Sequence, residues 1–120
     1  MKKLLILEDE KALRDAYVIL FKLNKYEVFE ASNGKQALGL LKENKPDIIV
    51  LDILMPVMSG LDFLKAVDIK KNYPKSKVLV LSNLSDQKTI EHAVQLGATK
   101  YILKASASPS ELLAAVKELK

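Results

Sequence analysis

The chain alternates five times between a short apolar run and an amphipathic stretch, and that rhythm leaves few folds open. Strands are predicted over residues 3–7, 26–30, 47–51, 77–81 and 100–103. Helices are predicted over 10–23, 34–44, 60–70, 86–96 and 109–119. The third and fourth strands, Ile48-Ile49-Val50-Leu51 after Asp47 and Val78-Leu79-Val80-Leu81 after Lys77, are almost unbroken apolar runs. Such runs mark strands covered on both faces, as in a parallel sheet. Leu13, Ala16, Tyr17 and Leu20 share a face of the first helix; Ile90, Val94 and Gly97 follow a stripe in the fourth; Leu112, Ala115, Val116 and Leu119 do so in the last. Asn33 and Asp86 suit helix N-caps, and Ser108-Pro109 places a cap before Pro at the first helical position. Regular βα units imply right-handed crossovers with helices on both faces of the sheet, an α/β doubly wound sandwich.

The 120 residues suit one domain, expected over 1–120, and nearly half are apolar, which is enough for a core and argues against disorder. There is no Cys, so disulfides, thiolate metal sites and cysteine nucleophiles are excluded; this suits a cytoplasmic setting. No apolar run approaches the ~20 residues of a membrane span, and no membrane partner is expected. Lys and Arg exceed Asp and Glu by 19 to 15. Several lysines fall between Lys65 and Lys77, read as a solvated helix end and loop. Arg is nearly absent and no aromatic platform accompanies them, so direct nucleic-acid binding is not expected. His92, the only His, is read as a surface residue.

The polar residues gather at strand ends. Glu8 and Asp9 follow the first strand, Asp52 the third, Ser82 the fourth and Lys104 the fifth. In an open parallel sheet these positions share the carboxyl edge, where ligands bind. Three carboxylates there repel one another unless a cation compensates. Mg²⁺ suits oxygen ligands of this kind, with Mn²⁺ as an alternative. Lys104 and Ser82 supply a cation and a donor for the oxygens of a transferring phosphoryl group, and an Asp carboxylate can serve as a covalent nucleophile. No Gly-rich phosphate loop or dinucleotide fingerprint is present.

Four segments carry a family resemblance. They are Leu5-Ile6-Leu7-Glu8-Asp9-Glu10, the run from Asp52 through Met55-Pro56 to Gly60, Leu81-Ser82-Asn83, and Gly97-Ala98-Thr99-Lys100-Tyr101-Ile102-Leu103-Lys104. In this order and spacing the chain resembles, over essentially its whole length, the CheY-like receiver domain of two-component response regulators. The resemblance implies a flavodoxin-like (βα)5 fold with strand order 2-1-3-4-5. It implies a signalling switch in which Asp52 takes a phosphoryl group from a histidine kinase or phosphotransfer protein, the domain catalysing its own phosphorylation and slow dephosphorylation. Asp9, Asp52 and the Leu54 carbonyl would hold Mg²⁺, with Glu8 acting through water. Lys104 and Ser82 would contact the phosphoryl oxygens, and Tyr101 would move inward with Ser82. The face built from residues 86–96, 100–103 and 109–119 would bind an output partner or a second copy.

Two positions depart from the family pattern. Ala105 replaces the usual Pro after the Lys, and Asn83 replaces a small apolar residue. A cis bond before a residue other than Pro costs about 2.5–4 kcal/mol, so the Lys104–Ala105 bond is expected to be trans. Leu54 and Leu84 occupy the two positions that most affect loss of the phosphoryl group in similar domains, which predicts a long-lived phosphorylated state. Three rival readings are weaker: a partner-binding pseudo-receiver, an aspartyl-phosphate hydrolase and a DNA-binding module. Intact Glu8, Asp9, Asp52, Ser82 and Lys104 oppose the first. Leu54, where a hydrolase places a second Asp, opposes the second. No recognition helix supports the third.

Overall fold

Five parallel strands form one sheet in the order β2-β1-β3-β4-β5 in the computed structural model, which describes residues 1–119. Lys120, the last residue of the expected domain, lies outside the described residues. The strands are β1 (Lys3–Leu7), β2 (Glu27–Ala31), β3 (Ile48–Leu51), β4 (Lys77–Ser82) and β5 (Lys100–Leu103). The helices are α1 (Lys11–Leu23), α2 (Gly34–Asn44), α3 (Gly60–Val67), α4 (Ile69–Asn72), α5 (Gln87–Gln95) and α6 (Pro109–Glu118), with a 3₁₀ turn over Lys104–Ser106. The predicted strands and their parallel order are present, with ends displaced by at most a residue.

The strand alternation divides the core in two. Leu5, Leu7, Ile49, Leu51, Val78 and Val80 face α2, α3, α4 and α5. Leu4, Ile6, Ile48, Val50, Leu79 and Leu81 face α1 and α6. Both faces of the central strands are therefore dry, which is why β3 and β4 read as unbroken apolar runs. The predicted caps form: Asn33, Asp86 and Ser108 each accept a backbone N–H from the residue three positions on.

Three expectations are corrected. The helix expected over 60–70 breaks at Asp68, whose φ of 48° ends α3 and lets Ile69, the first residue of α4, turn into the core. Asp tolerates this left-handed conformation better than most residues. On α1 the buried centre is Val18 and Phe21, with Ala16 exposed; Phe21 packs edge-on against Tyr26 (ring centroids 5.7 Å apart). On α5 it is Ala93 that is buried; Val94 faces solvent, and Gly97 lies beyond the helix with φ 113°.

Candidate functional site at the carboxyl edge

The strand ends bring the expected polar residues together. Glu8 follows β1 and is 2% exposed; Asp52 follows β3 and is 7% exposed; Ser82 ends β4 with no exposure at all. Asp9 stands exposed beside them. The 3₁₀ turn after β5 sets Lys104 so that its ammonium reaches Glu8 Oε1 at 2.6 Å and Asp52 Oδ2 at 2.9 Å. The other oxygen of each acid is also engaged. Asp52 Oδ1 accepts the N–H of Leu54 at 3.3 Å, and Glu8 Oε2 accepts the N–H of Glu10 at 3.2 Å.

Close backbone approach shapes this pocket. Gly60 opens α3 directly beneath Asp52, donating its N–H to the Ile53 carbonyl at 2.8 Å. A Cβ at Gly60 would lie 2.3 Å from the Asp52 carbonyl oxygen, so any larger residue would push Asp52 away. The preceding turn is strained as well: Val57, a β-branched residue, has φ 71°.

Burial raises the pKa of Glu8, an effect partly offset by its hydrogen bonds from Lys104 and the Glu10 N–H. For Lys104, burial alone would lower the pKa. The hydrogen bonds and charges of Glu8 and Asp52 outweigh it, and the ammonium is held above its ordinary value. Lys104 is thus a fixed positive charge between two acids.

One lysine does not neutralise three carboxylates. Oxygens of Glu8, Asp9 and Asp52 all lie within 4.8 Å of one another, a hard, oxygen-only donor set that suits a divalent cation. The fit with Mg²⁺ therefore rests on donor type, spacing and uncompensated charge.

Ser82 and Tyr101 meet at a single residue. The Ser82 hydroxyl accepts the N–H of Leu84 at 3.2 Å, while the Tyr101 hydroxyl donates to the Leu84 carbonyl at 2.6 Å. Tyr101 is half-buried, and burial raises its pKa against the opposing effect of the Ser82 hydroxyl. Leu54 is exposed and Leu84 half-buried, each two residues beyond the end of its acid or hydroxyl.

Two residues, Arg14 and Tyr17, were not singled out from the sequence for this site, and Asn83, already noted as a departure from the family pattern, gains a partner. Arg14, on α1, donates to the Glu8 carbonyl at 2.9 Å and the Asp9 carbonyl at 3.4 Å while pairing with Glu30 at 3.1 Å, and so pins the acidic turn. Tyr17 sits beside the charges of Lys104, Glu8 and Asp52, and its burial raises its pKa. Asn83 accepts the N–H of Ala105 at 3.1 Å. The first two come from the helix after β1, and nothing in their local sequence marks them. The last joins the two residues that depart from the family pattern. No peptide bond among the described residues is cis, so the Lys104–Ala105 bond is trans.

The family model described as "Response regulator receiver domain" matches residues 4–117. The chain is 35% identical to the chemotaxis protein CheY of Thermotoga maritima over 119 residues, covering 98% of this chain and 97% of that protein. It is 36% identical to the transcriptional regulatory protein YdfI of Bacillus subtilis over 110 residues, 90% of this chain but 50% of that relative. It thus spans about half the length of YdfI and nearly all of CheY. Among solved structures, chemotaxis protein CheY4 of Vibrio cholerae superposes with a TM-score of 0.91 at 28% identity, covering 100% of this chain and 99% of that one.

Proposed function

This chain belongs to the response regulator receiver domain family, the phosphorylation-dependent switches of two-component signalling, and on that premise we propose that Asp52 is its phosphoacceptor. The observation that carries the reading is the Lys104 ammonium seated between Glu8 and Asp52, with Asp9 completing the acid cluster. The match over 4–117 supports taking residues 1–120 as one receiver domain. The proposed setting is the cytoplasm; no helix among the described residues is long and apolar enough to cross a membrane.

In the proposed reaction an Asp52 carboxylate oxygen attacks phosphorus in line with the bond to the donor, the imidazole of a phosphohistidine. The P–O bond forms as the P–N bond breaks, and the imidazole nitrogen keeps the electron pair and takes up a proton. The product is an acyl phosphate on Asp52. Asp9, Asp52 and the Leu54 carbonyl, with Glu8 through water, would hold Mg²⁺. That ion, when bound, neutralises the acids and the phosphoryl charge. Lys104 can exchange its bond to Asp52 for one to a phosphoryl oxygen without losing Glu8. Ser82 must release the Leu84 N–H to donate to another phosphoryl oxygen. Because Tyr101 grips the carbonyl of the same Leu84, that release links the phosphoryl group to the position of Tyr101.

Incubation with acetyl phosphate and Mg²⁺ should add one phosphoryl mass to the wild type and none to Asp52→Ala. Labelling that survives Asp52→Ala, or that continues unchanged in excess EDTA, would sink the assignment.

A further inference from the structure

Each strand of the sheet begins at or just after a lysine: Lys2 before β1, Lys25 before β2, Lys45 before β3, Lys75 before β4 and Lys100 at the start of β5. The parallel register sets them along one edge, since Lys3 lies beside Glu27, Leu4 beside Ile48, Ile48 beside Lys77 and Leu79 beside Lys100. With strands about 4.8 Å apart, the row crosses roughly 19 Å of the base. The same connectivity brings helix C-termini to this edge, and Lys22, Lys42 and Lys117 occupy last turns there.

The acids at this end are fewer. The Asp47 carboxylate accepts the backbone N–H of Lys3 at 2.8 Å, and Glu118 pairs with Lys100, so two of them serve the protein itself. Glu27, Glu43 and Asp68 remain exposed among the lysines. At the opposite edge lie Glu8, Asp9 and Asp52, with Asp62 and Glu111 in first turns of helices. A modest net charge of +4 therefore conceals a strongly polarised molecule, basic at the base and acidic at the site.

We propose that the amino-edge face of the sheet docks on an anionic lipid surface, with the acidic edge turned to solvent. Three features select lipid over nucleic acid. The lysines spread over a broad end of the molecule, and only Lys42, Lys45 and Lys75 border the two clefts there. Arg14, the only Arg in the sequence, stands at the other edge, and the tyrosines of this end are buried (Tyr26) or half-buried (Tyr73), so no base-stacking platform accompanies the charge. Large apolar side chains also flank the lysines: Leu23, 78% exposed, sits between Lys22 and Lys25, with Ile19, 60% exposed, one turn behind it. Exposed apolar groups set among lysines match a headgroup boundary. The acidic edge is repelled by the same surface, which fixes the orientation.

The test uses the whole unphosphorylated chain in flotation with vesicles of phosphatidylcholine alone or with about 30% phosphatidylserine, at about 0.1 M and about 0.5 M salt. Binding should require phosphatidylserine and fall steeply at the higher salt. The exposed-lysine variant Lys25→Gln/Lys45→Gln/Lys75→Gln should lose roughly tenfold or more of the affinity, while Lys35→Gln/Lys88→Gln, at the carboxyl edge, should bind as wild type does. Leu23→Ser should weaken binding severalfold. Equal wild-type binding to both vesicle types, or undiminished binding of the triple variant, overturns the proposal. Tighter binding to a duplex DNA oligonucleotide than to the anionic vesicles at the same salt overturns the lipid assignment in favour of nucleic acid.

Discussion

Asn83 and Ala105 are bonded to each other, and this gives both departures from the family pattern a common physical reason. Pro at 105 has no N–H to donate, so an Asn at 83 would find no partner there. With Ala105 the donor exists, and the Asn83 side chain takes it at 3.1 Å, beside Lys104. The bond is exposed and modest, on the order of 0.5–1 kcal/mol. Asn83→Ala should therefore destabilise the wild type by about that amount and leave an Ala105→Pro background unaffected, as urea unfolding of the four proteins can measure. Additive effects would disprove the coupling. Lys104 carries a larger consequence. Glu8 has a raised pKa, so the folded state binds more protons than the unfolded one, and this group's contribution to stability falls as pH rises from the ordinary 4.5 through the raised value. Lys104 limits that loss. Lys104→Met should leave buried Glu8 unpaired and cost about 3 kcal/mol near neutral pH. The deficit should shrink on acidification as Glu8 becomes neutral; a deficit constant with pH would refute the account.

At the scale of elements, the loop after β4 has two anchors, Ser82 and Tyr101, on one residue, Leu84. On the proposed reading, Leu84 and Leu54 occupy the two positions that the family resemblance sets beside the water path to an Asp52 acyl phosphate, and both are apolar. Neither can orient that water by hydrogen bonding, while Lys104 and Ser82 would still stabilise the developing charge. Loss of the phosphoryl group should be slow but not abolished. Leu54→Asn combined with Leu84→Glu should hasten it, with labelling still confined to Asp52. The measurement is phosphoprotein decay after donor removal at fixed Mg²⁺ and pH. A wild-type rate equal to or above that of the double variant would defeat the idea.

For the whole molecule, the face of α5, β5 and α6 is the proposed site for an output partner or a second copy. His92 and Gln95 are exposed there, Val94 is 49% exposed, Tyr101 is half-buried, and Lys100 pairs with Glu118 across β5 and α6. Tyr101 connects this face to Ser82 through Leu84, so phosphorylation has a physical route to it. We expect protein carrying a phosphate mimic to associate more strongly than the free form in sedimentation, and Val94→Asp to abolish the increase. A mimic-bound protein that stays monomeric at high concentration removes this proposal.

The five-fold rhythm of apolar runs and amphipathic helices, together with acids and a lysine at strand ends, was enough to determine the parallel sheet and to gather Glu8, Asp9, Asp52, Ser82 and Lys104 at one edge. Those properties depend on local periodicity and on topology, both written in the order of residues. Other features needed distances across the fold. The break at Asp68 depends on Ile69 reaching the core, and the buried face of α1 depends on where Phe21 meets Tyr26, so local pattern misplaced both. The Arg14–Glu30 pair, the grip of Tyr101 on Leu84, and the Asn83–Ala105 bond join residues that meet only after the strands are aligned. The lysine row is the same case. Lys75 reads locally as part of a solvated helix end and loop, and only the parallel register sets it in one charged face with Lys2, Lys25, Lys45 and Lys100.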